Sequence, residues 1–187
     1  MKNNVAKITY SALYLCLALV LPFLTGQIKV FGKAINPMHV VVFLCGLTCG
    51  AKCGLIVGFI APLLRSVTFG MPVLYPSAVG MAFELATYGF VSGVIFSIFL
   101  GKRGGVYIAL LSGMLIGRAV WGIVTLLLWA FMGDQFTFYL FIKGAFIDSV
   151  VGIALQLVLV PIIVKVLEKA NLLLIDKKTT SQKGDSE

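Results

Sequence analysis

Long apolar segments, separated by short polar or glycine-rich breaks, make up most of this chain. Six segments can be distinguished: Val5–Thr25, Ile35–Cys49, Cys53–Phe69, Pro76–Leu100, Val106–Met132 and Phe136–Leu167. A helix that spans a membrane needs about 20 predominantly apolar residues. The pattern therefore predicts an all-α membrane protein, a bundle of six transmembrane helices, in which the short second and third segments are the candidates for partly re-entrant helices.

The composition excludes an ordinary soluble domain. Of the 187 residues, 60% are hydrophobic and only 12% are charged, whereas soluble domains carry about 25% charged residues. We expect one membrane domain over residues 1–170. Residues 171–187 form a polar tail that lacks apolar side chains after Ile175, and we expect this tail to be cytoplasmic and disordered.

Basic residues flank the segments unequally, and cytoplasmic flanks are the ones enriched in lysine and arginine. With the N-terminus inside, only Lys29 and Lys33 lie on outer flanks. The inner flanks hold Lys2, Lys7, Lys52, Lys102, Arg103, Lys165, Lys169, Lys177, Lys178 and Lys183. We therefore predict a cell-membrane protein with both termini cytoplasmic. This topology accounts for most of the net charge of +8, so no nucleic-acid partner is needed to explain it.

Enzyme signatures are missing from the sequence. A single histidine leaves no paired-histidine metal motif. No serine stands in a GxSxG frame, and no glycine-rich phosphate loop GxxxxGK[ST] occurs. We predict that the chain is not an enzyme and carries no cofactor, and that any ATP hydrolysis takes place on another chain.

The four cysteines do not look like a disulfide set. Cys45, Cys49 and Cys53 recur every four residues and would share one face of a continuous helix. A metal site is conceivable there. Buried free cysteine more often acts as a small hydrophobic residue, so we predict packing and no metal.

Ionisable residues inside the apolar segments are the candidates for a binding site, because such groups usually face a bundle interior or a water-filled cavity. Arg65 could bind an anionic ligand group or extend to the outer headgroups. Glu84 could contact ligand, or pair with Arg65 or Arg118. For Arg118 we favour a structural pair with Asp148 over ligand contact.

Other polar and aromatic residues complete the candidate site. Asn36 precedes a proline and has the pattern of a helix N-cap. His39 could be a hydrogen-bonded packing residue or a ligand contact. Tyr75 and Trp121 could enclose a ligand, although Tyr75 could equally belong to an interfacial aromatic belt. Lys143 could reach outer water or line the same cavity.

Glycines recur at four-residue spacing in the middle of the chain. The ridges are Gly50-x3-Gly54-x3-Gly58 and Gly89-x3-Gly93. Small residues at this spacing let membrane helices approach closely, so the ridges predict helix packing and say little about function.

Two stretches resemble a known family, the substrate-binding S-components of energy-coupling factor (ECF) vitamin transporters. They read INPMHVVVFLCGLTCGAKCGLIVGFIAPLLRSVTFGMPVLYP and MAFELATYGFVSG. The resemblance extends from about Val5 to Leu167. It implies six helices, an outward-opening pocket and outer loops that close over it, here Gly26–Ala34 and Gly70–Leu74.

The resemblance also implies partners. A separate membrane coupling subunit with two ATPase subunits would receive the S-component, which is thought to topple in the bilayer to release its vitamin inside. Docking in the family uses an Ala-x3-Ala ridge on the first helix. The matching residues here are Ala12 and Cys16.

The identity of the ligand is left open by the sequence. Arg65, Arg118 and Lys143 favour a carboxylate-bearing vitamin, with pantothenate the first choice and Arg65 the best single anchor. Glu84 and Asp148 would instead suit a cationic pyridoxine or thiamine precursor. The alternative function is a self-sufficient, ion-coupled secondary carrier of a small metabolite.

Overall fold

The computed structural model describes residues 2–26, 37–100, 102, 104–132, 149–170 and 172–175. Within these ranges the chain forms six α-helices and no strand: α1 Lys2–Gly26, α2 Pro37–Cys49, α3 Ala51–Phe69, α4 Val79–Ile98, α5 Gly105–Met132 and α6 Val150–Lys169. A single turn of π-helix, Leu74–Ala78, leads into α4. The all-α prediction is thus confirmed for the described residues.

Five helical stretches of the described chain are long and apolar enough to cross a membrane: Asn4–Phe23, Ala51–Phe69, Leu74–Ile98, Gly105–Phe131 and Val150–Lys169. Helix α2 has only 13 residues, or about 20 Å at 1.5 Å per residue, against an apolar core of about 30 Å. The predicted six spans are therefore not confirmed. Every residue of α2 after Pro37 is buried, which makes it an internal helix of the bundle.

The helices are arranged around α2 and α4. Helix α2 contacts α1, α3, α4 and α6, whereas α4 contacts α2, α3 and α5. Because α2 has neighbours on all sides, its continuous apolar sequence has no polar face. Helix α2 begins at Pro37, as expected for a proline in the first helical position.

Glycines bring α3 and α4 into backbone contact. A methyl group added at Gly89 would meet the backbone of Gly54, and one added at Gly58 would meet the carbonyl of Leu85. A methyl group at Gly93 would lie 2.6 Å from the nitrogen of Ala51. We call Gly54, Gly58, Gly89 and Gly93 the glycine seam. The predicted close packing is confirmed at these four positions.

Gly50 has a different role from the seam glycines. It joins α2 to α3 with a φ of 99°, a conformation that residues with a side chain rarely adopt. Because the helix is interrupted there, the three neighbouring cysteines do not share one continuous helix. Cys45 and Cys49 are buried and Cys53 is half-buried. In the part of the chain that the structure describes, no three His, Cys, Asp or Glu side chains form a metal-binding group.

A short segment after α6 packs against the end of α2. The N–H of Leu174 donates to the carbonyl of Thr48 at 2.8 Å, and Leu173 and Ile175 pack against the core. This bond pairs one of the carbonyls that the last turn of a helix leaves without an intrahelical partner. The predicted disordered tail beyond Ile175 lies outside the described residues.

Candidate functional site

A cavity of about 330 Å³ lies between α2, α4, α5, the π-helical turn and the residue before α6. Its volume is at the lower end of the range for small-molecule sites, about 300–1,000 Å³. The lining combines charged, hydroxyl and aromatic side chains: His39, Pro76, Ser77, Met81, Glu84, Arg118, Trp121, Thr125, Trp129 and Ser149.

Helix α5 contributes four of these side chains along one face. Arg118, Trp121, Thr125 and Trp129 follow one another at spacings of three, four and four residues, and residues at such spacings lie on the same side of an α-helix. This face therefore presents a charge, two indole rings and a hydroxyl to the cavity.

A buried ion pair forms part of the wall. Arg118 Nη1 lies 3.0 Å from Glu84 Oε1, and only 8% of Arg118 and 3% of Glu84 are exposed. Removing either charge from water is costly, so each requires a partner at this depth. The pair leaves this part of the wall without net charge.

Two aromatic side chains approach the same carboxylate. Tyr88 donates a hydrogen bond to Glu84 Oε1 at 2.7 Å. His39 Nε2 lies 3.9 Å from Glu84 Oε2, which is too far for a hydrogen bond. The two side chains form an ion pair only when the imidazole is protonated. Among the described residues, His39 Nδ1 and Arg118 Nε are buried without a hydrogen-bond partner. Buried polar atoms are normally paired, so this cluster has hydrogen-bonding capacity left.

Arg65 is not among the side chains that line the cavity. Its Nη1 donates to the carbonyl of Leu19 on α1 at 2.9 Å. Its guanidinium lies over the rings of Phe23 and Phe69, 5.1 and 5.9 Å from their centroids. Arg65 thus links the ends of α1 and α3.

The other predicted site residues either line the cavity, lie beside a lining residue or lie outside the described residues. Trp121 lines the cavity, as does His39. Tyr75 lies beside the lining residue Pro76 and donates from Oη to the carbonyl of Leu128 at 2.8 Å. Asn36 and Lys143 lie outside the described residues.

Arg118 has a partner other than the one that we favoured. The sequence led us to expect a pair with Asp148, which lies outside the described residues. Within the described residues the structure brings Arg118 to Glu84, one of the two pairings that the sequence left open for that carboxylate.

Six lining residues were not anticipated from the sequence: Pro76, Ser77, Met81, Thr125, Trp129 and Ser149. A signal existed for two of them, because Thr125 and Trp129 continue the helical face that begins at Arg118. The others carry none, since a serine, a methionine or a proline in an apolar segment does not by itself indicate a binding site.

The predicted docking residues lie on the surface of α1. Ala12 and Cys16 are both exposed and are one helical turn apart. Tyr14 and Ala18 on the other side of α1 are buried. The small-residue face is therefore not used for packing by the described part of this chain.

Comparison with known proteins decides the family. A family model described as ECF transporter, substrate-specific component, matches residues 6–174. The chain belongs to this family. Neither the curated proteins nor the solved structures gave a match. This S-component is thus a membrane-integral protein that binds a transported substrate, and the whole described cavity lies within the matched region.

Proposed function

We propose that this S-component captures a small water-soluble vitamin or vitamin precursor in the cavity beside Glu84 and Arg118. It then delivers this molecule to a membrane coupling subunit energised by two ATPase subunits. The observation that carries the proposal is the buried pair on the wall of a cavity of about 330 Å³. Ionisable residues inside a membrane are costly and typically mark a substrate pathway.

The cavity lies at one end of the bundle. His39 is in the first turn of α2, Ser77 precedes α4, Trp129 is in the last turn of α5 and Ser149 precedes α6. The asymmetry of basic residues favours an N-terminus in the cytoplasm. In that orientation the cavity end faces outward, where a substrate is captured.

A cysteine introduced at Ser181 should then be unreactive to an impermeant thiol reagent added to intact cells. Labelling there would overturn this orientation.

Arg118 is the best-supported anchor for a ligand carboxylate. A guanidinium has five N–H donors, and the contact with Glu84 involves one nitrogen, Nη1. A carboxylate-bearing vitamin, with pantothenate as the first candidate, could share Arg118 with Glu84. An amine-bearing vitamin would approach Glu84 instead, and the ligand panel below distinguishes these two cases.

Tryptophan fluorescence provides a direct test of binding. The chain contains two tryptophans, and both line the cavity, so a bound molecule should change their emission. We expect saturable quenching of the detergent-purified protein by one member of a panel containing pantothenate, nicotinate, biotin, pyridoxine and thiamine. Native mass spectrometry of the same preparation should show the corresponding mass. Absence of both signals for every member would contradict the vitamin assignment.

Reconstitution separates this function from the alternative. In proteoliposomes, the chain alone should bind the panel member identified above without accumulating it, because ATP would be hydrolysed on partner subunits. Accumulation driven by a proton or sodium gradient with this chain alone would support a secondary carrier instead.

A further inference from the structure

Tyr88 contacts the site without lining the cavity. Its side chain is 1% exposed, and its hydroxyl donates to Glu84 Oε1 at 2.7 Å. Both residues are on α4, one helical turn apart. Tyr88 therefore reaches the cavity wall in two ways: its hydroxyl contacts the carboxylate of Glu84, and its ring lies 5.6 Å from that of His39, centroid to centroid.

The ring of Tyr88 is held from two neighbouring helices. It stacks on Phe43 of α2, with centroids 4.9 Å apart and an interplanar angle of 17°. On α5 it lies directly against Gly117, where an added Cβ would collide with two ring carbons. The absence of a side chain at Gly117 makes room for the ring, and Phe43 fixes its orientation.

We propose that Tyr88 is a positioning residue that sets the substrate affinity of this S-component. Its hydroxyl fixes the carboxylate of Glu84, and the fixed carboxylate orients Arg118 in the cavity wall. The inference rests on the function proposed above, because it assumes that the substrate is recognised at the Glu84–Arg118 pair. A charge-assisted hydrogen bond is stronger than a neutral one, and a group already held in its binding geometry loses less entropy when ligand arrives.

Replacing the hydroxyl alone tests the proposal. Tyr88→Phe keeps the ring against Phe43 and Gly117, so the variant should fold, and its melting temperature in detergent should fall only slightly, through the loss of one buried hydrogen bond. Affinity for the panel member that quenches the wild-type tryptophans most strongly should fall about tenfold, a change of about 1.4 kcal/mol. In a Glu84→Gln background, Tyr88→Phe should change affinity less than about twofold, since the group that it positions has been altered.

A matched pair of glycine substitutions provides an independent test. In Gly117→Ala the new methyl group displaces the ring of Tyr88 while the hydroxyl is kept, so affinity should fall as in Tyr88→Phe. In Gly113→Ala the methyl group would meet Phe43 at 3.1 Å and the backbone carbonyl of Tyr88 at 3.5 Å, without the direct collision with the ring of Tyr88, so affinity should fall less than in Gly117→Ala. These two glycine variants also test the role of Tyr88 if Tyr88→Phe does not fold.

The possible outcomes are distinguishable. Unchanged affinity in Tyr88→Phe, with binding by the wild type, would overturn the role of Tyr88 and leave the proposed function intact. A lower melting temperature with unchanged affinity would make Tyr88 a structural residue only. Equal losses of affinity in the wild-type and Glu84→Gln backgrounds would show that Tyr88 does not act through Glu84, which would also overturn the proposal. Lack of quenching in the wild type by every panel member would overturn the proposed function and this inference together.

Discussion

The two sides of α4 are both buried, but they are built in opposite ways. Towards α3 the helix presents Gly89, which packs on the backbone of Gly54 with no side chain between them. Towards α5 it presents Glu84 and Tyr88, whose polar groups meet Arg118 beside a cavity. One side is a contact between backbones, and the other is a polar network with space next to it.

This difference suggests a division of roles: the α3 side of α4 supports the fold, and the α5 side is suited to binding a ligand. Between membrane helices there is no hydrophobic driving force, because lipid is as apolar as the side chains, so association depends on close packing. The glycine seam provides that packing and holds α3 against α4. The cavity side can therefore retain a buried ion pair that adds little net stability while both partners are present, because the seam supplies the packing.

Filling the glycine seam should have the largest effect. Gly89→Leu places a side chain where even a methyl group would meet the backbone of Gly54. Backbone cannot move aside as a flexible side chain can, and overpacking of a core already costs about 1–3 kcal/mol where repacking is possible. We expect little or no monodisperse protein on size exclusion in detergent. Phe90→Leu, at the exposed neighbouring position, is the control and should behave like the wild type.

Breaking the ion pair should have the next largest effect. Arg118→Gln leaves Glu84 buried without its cation, which costs about 3–5 kcal/mol, so the melting temperature should fall clearly. The double variant Glu84→Gln/Arg118→Gln should recover most of this loss, because no charge remains unpaired. If the substrate carries a carboxylate, binding should be at least about thirtyfold weaker in both variants. A double variant less stable than Arg118→Gln would show that the pair is not coupled.

The seam could be predicted from sequence because its signal is local. Spacings such as Gly89-x3-Gly93 lie within one helix, and such a ridge has few uses in a membrane other than packing. The boundaries of α3 and α5 were predicted to within two residues for the same reason. The sequence also showed that the α2 segment is short, but it did not show that this helix is completely buried after Pro37.

The partner of Arg118 could not be predicted, because it depends on the relative placement of two helices. Glu84 lies on α4, and the sequence alone does not show which face of α4 lies opposite Arg118 on α5. Arg65 illustrates the same limit. Its charge made it the first choice of anchor, yet its contacts depend on α1, which supplies Leu19 and Phe23.

Arg65 allows a sharper comparison with Arg118, because it is an arginine at the contact of α1 with α3, outside the cavity lining. Arg65→Gln removes the contacts with Leu19, Phe23 and Phe69, each of moderate strength. A cation–π contact contributes about 0.5–1 kcal/mol at an exposed site. We expect a small loss of melting temperature and an affinity within about threefold of wild type, as measured by tryptophan quenching. If Arg65→Gln weakened binding more than Arg118→Gln, Arg65 would be the anchor and the described cavity would not be the whole site.

The smallest effect on the isolated chain is expected at Ala12, which lies away from both sides of α4. Ala12 is exposed on α1, so Ala12→Trp should change neither melting temperature nor affinity appreciably. With the coupling and ATPase subunits present, the indole would prevent the close approach that a small residue permits. ATP-driven uptake and co-purification with those subunits should therefore fall. Leu13→Trp, at the adjacent exposed position, is the matched control because it adds the same bulk on a different face. Equal losses in both variants would indicate a general effect of bulk on α1, and normal assembly of Ala12→Trp would place the docking surface elsewhere.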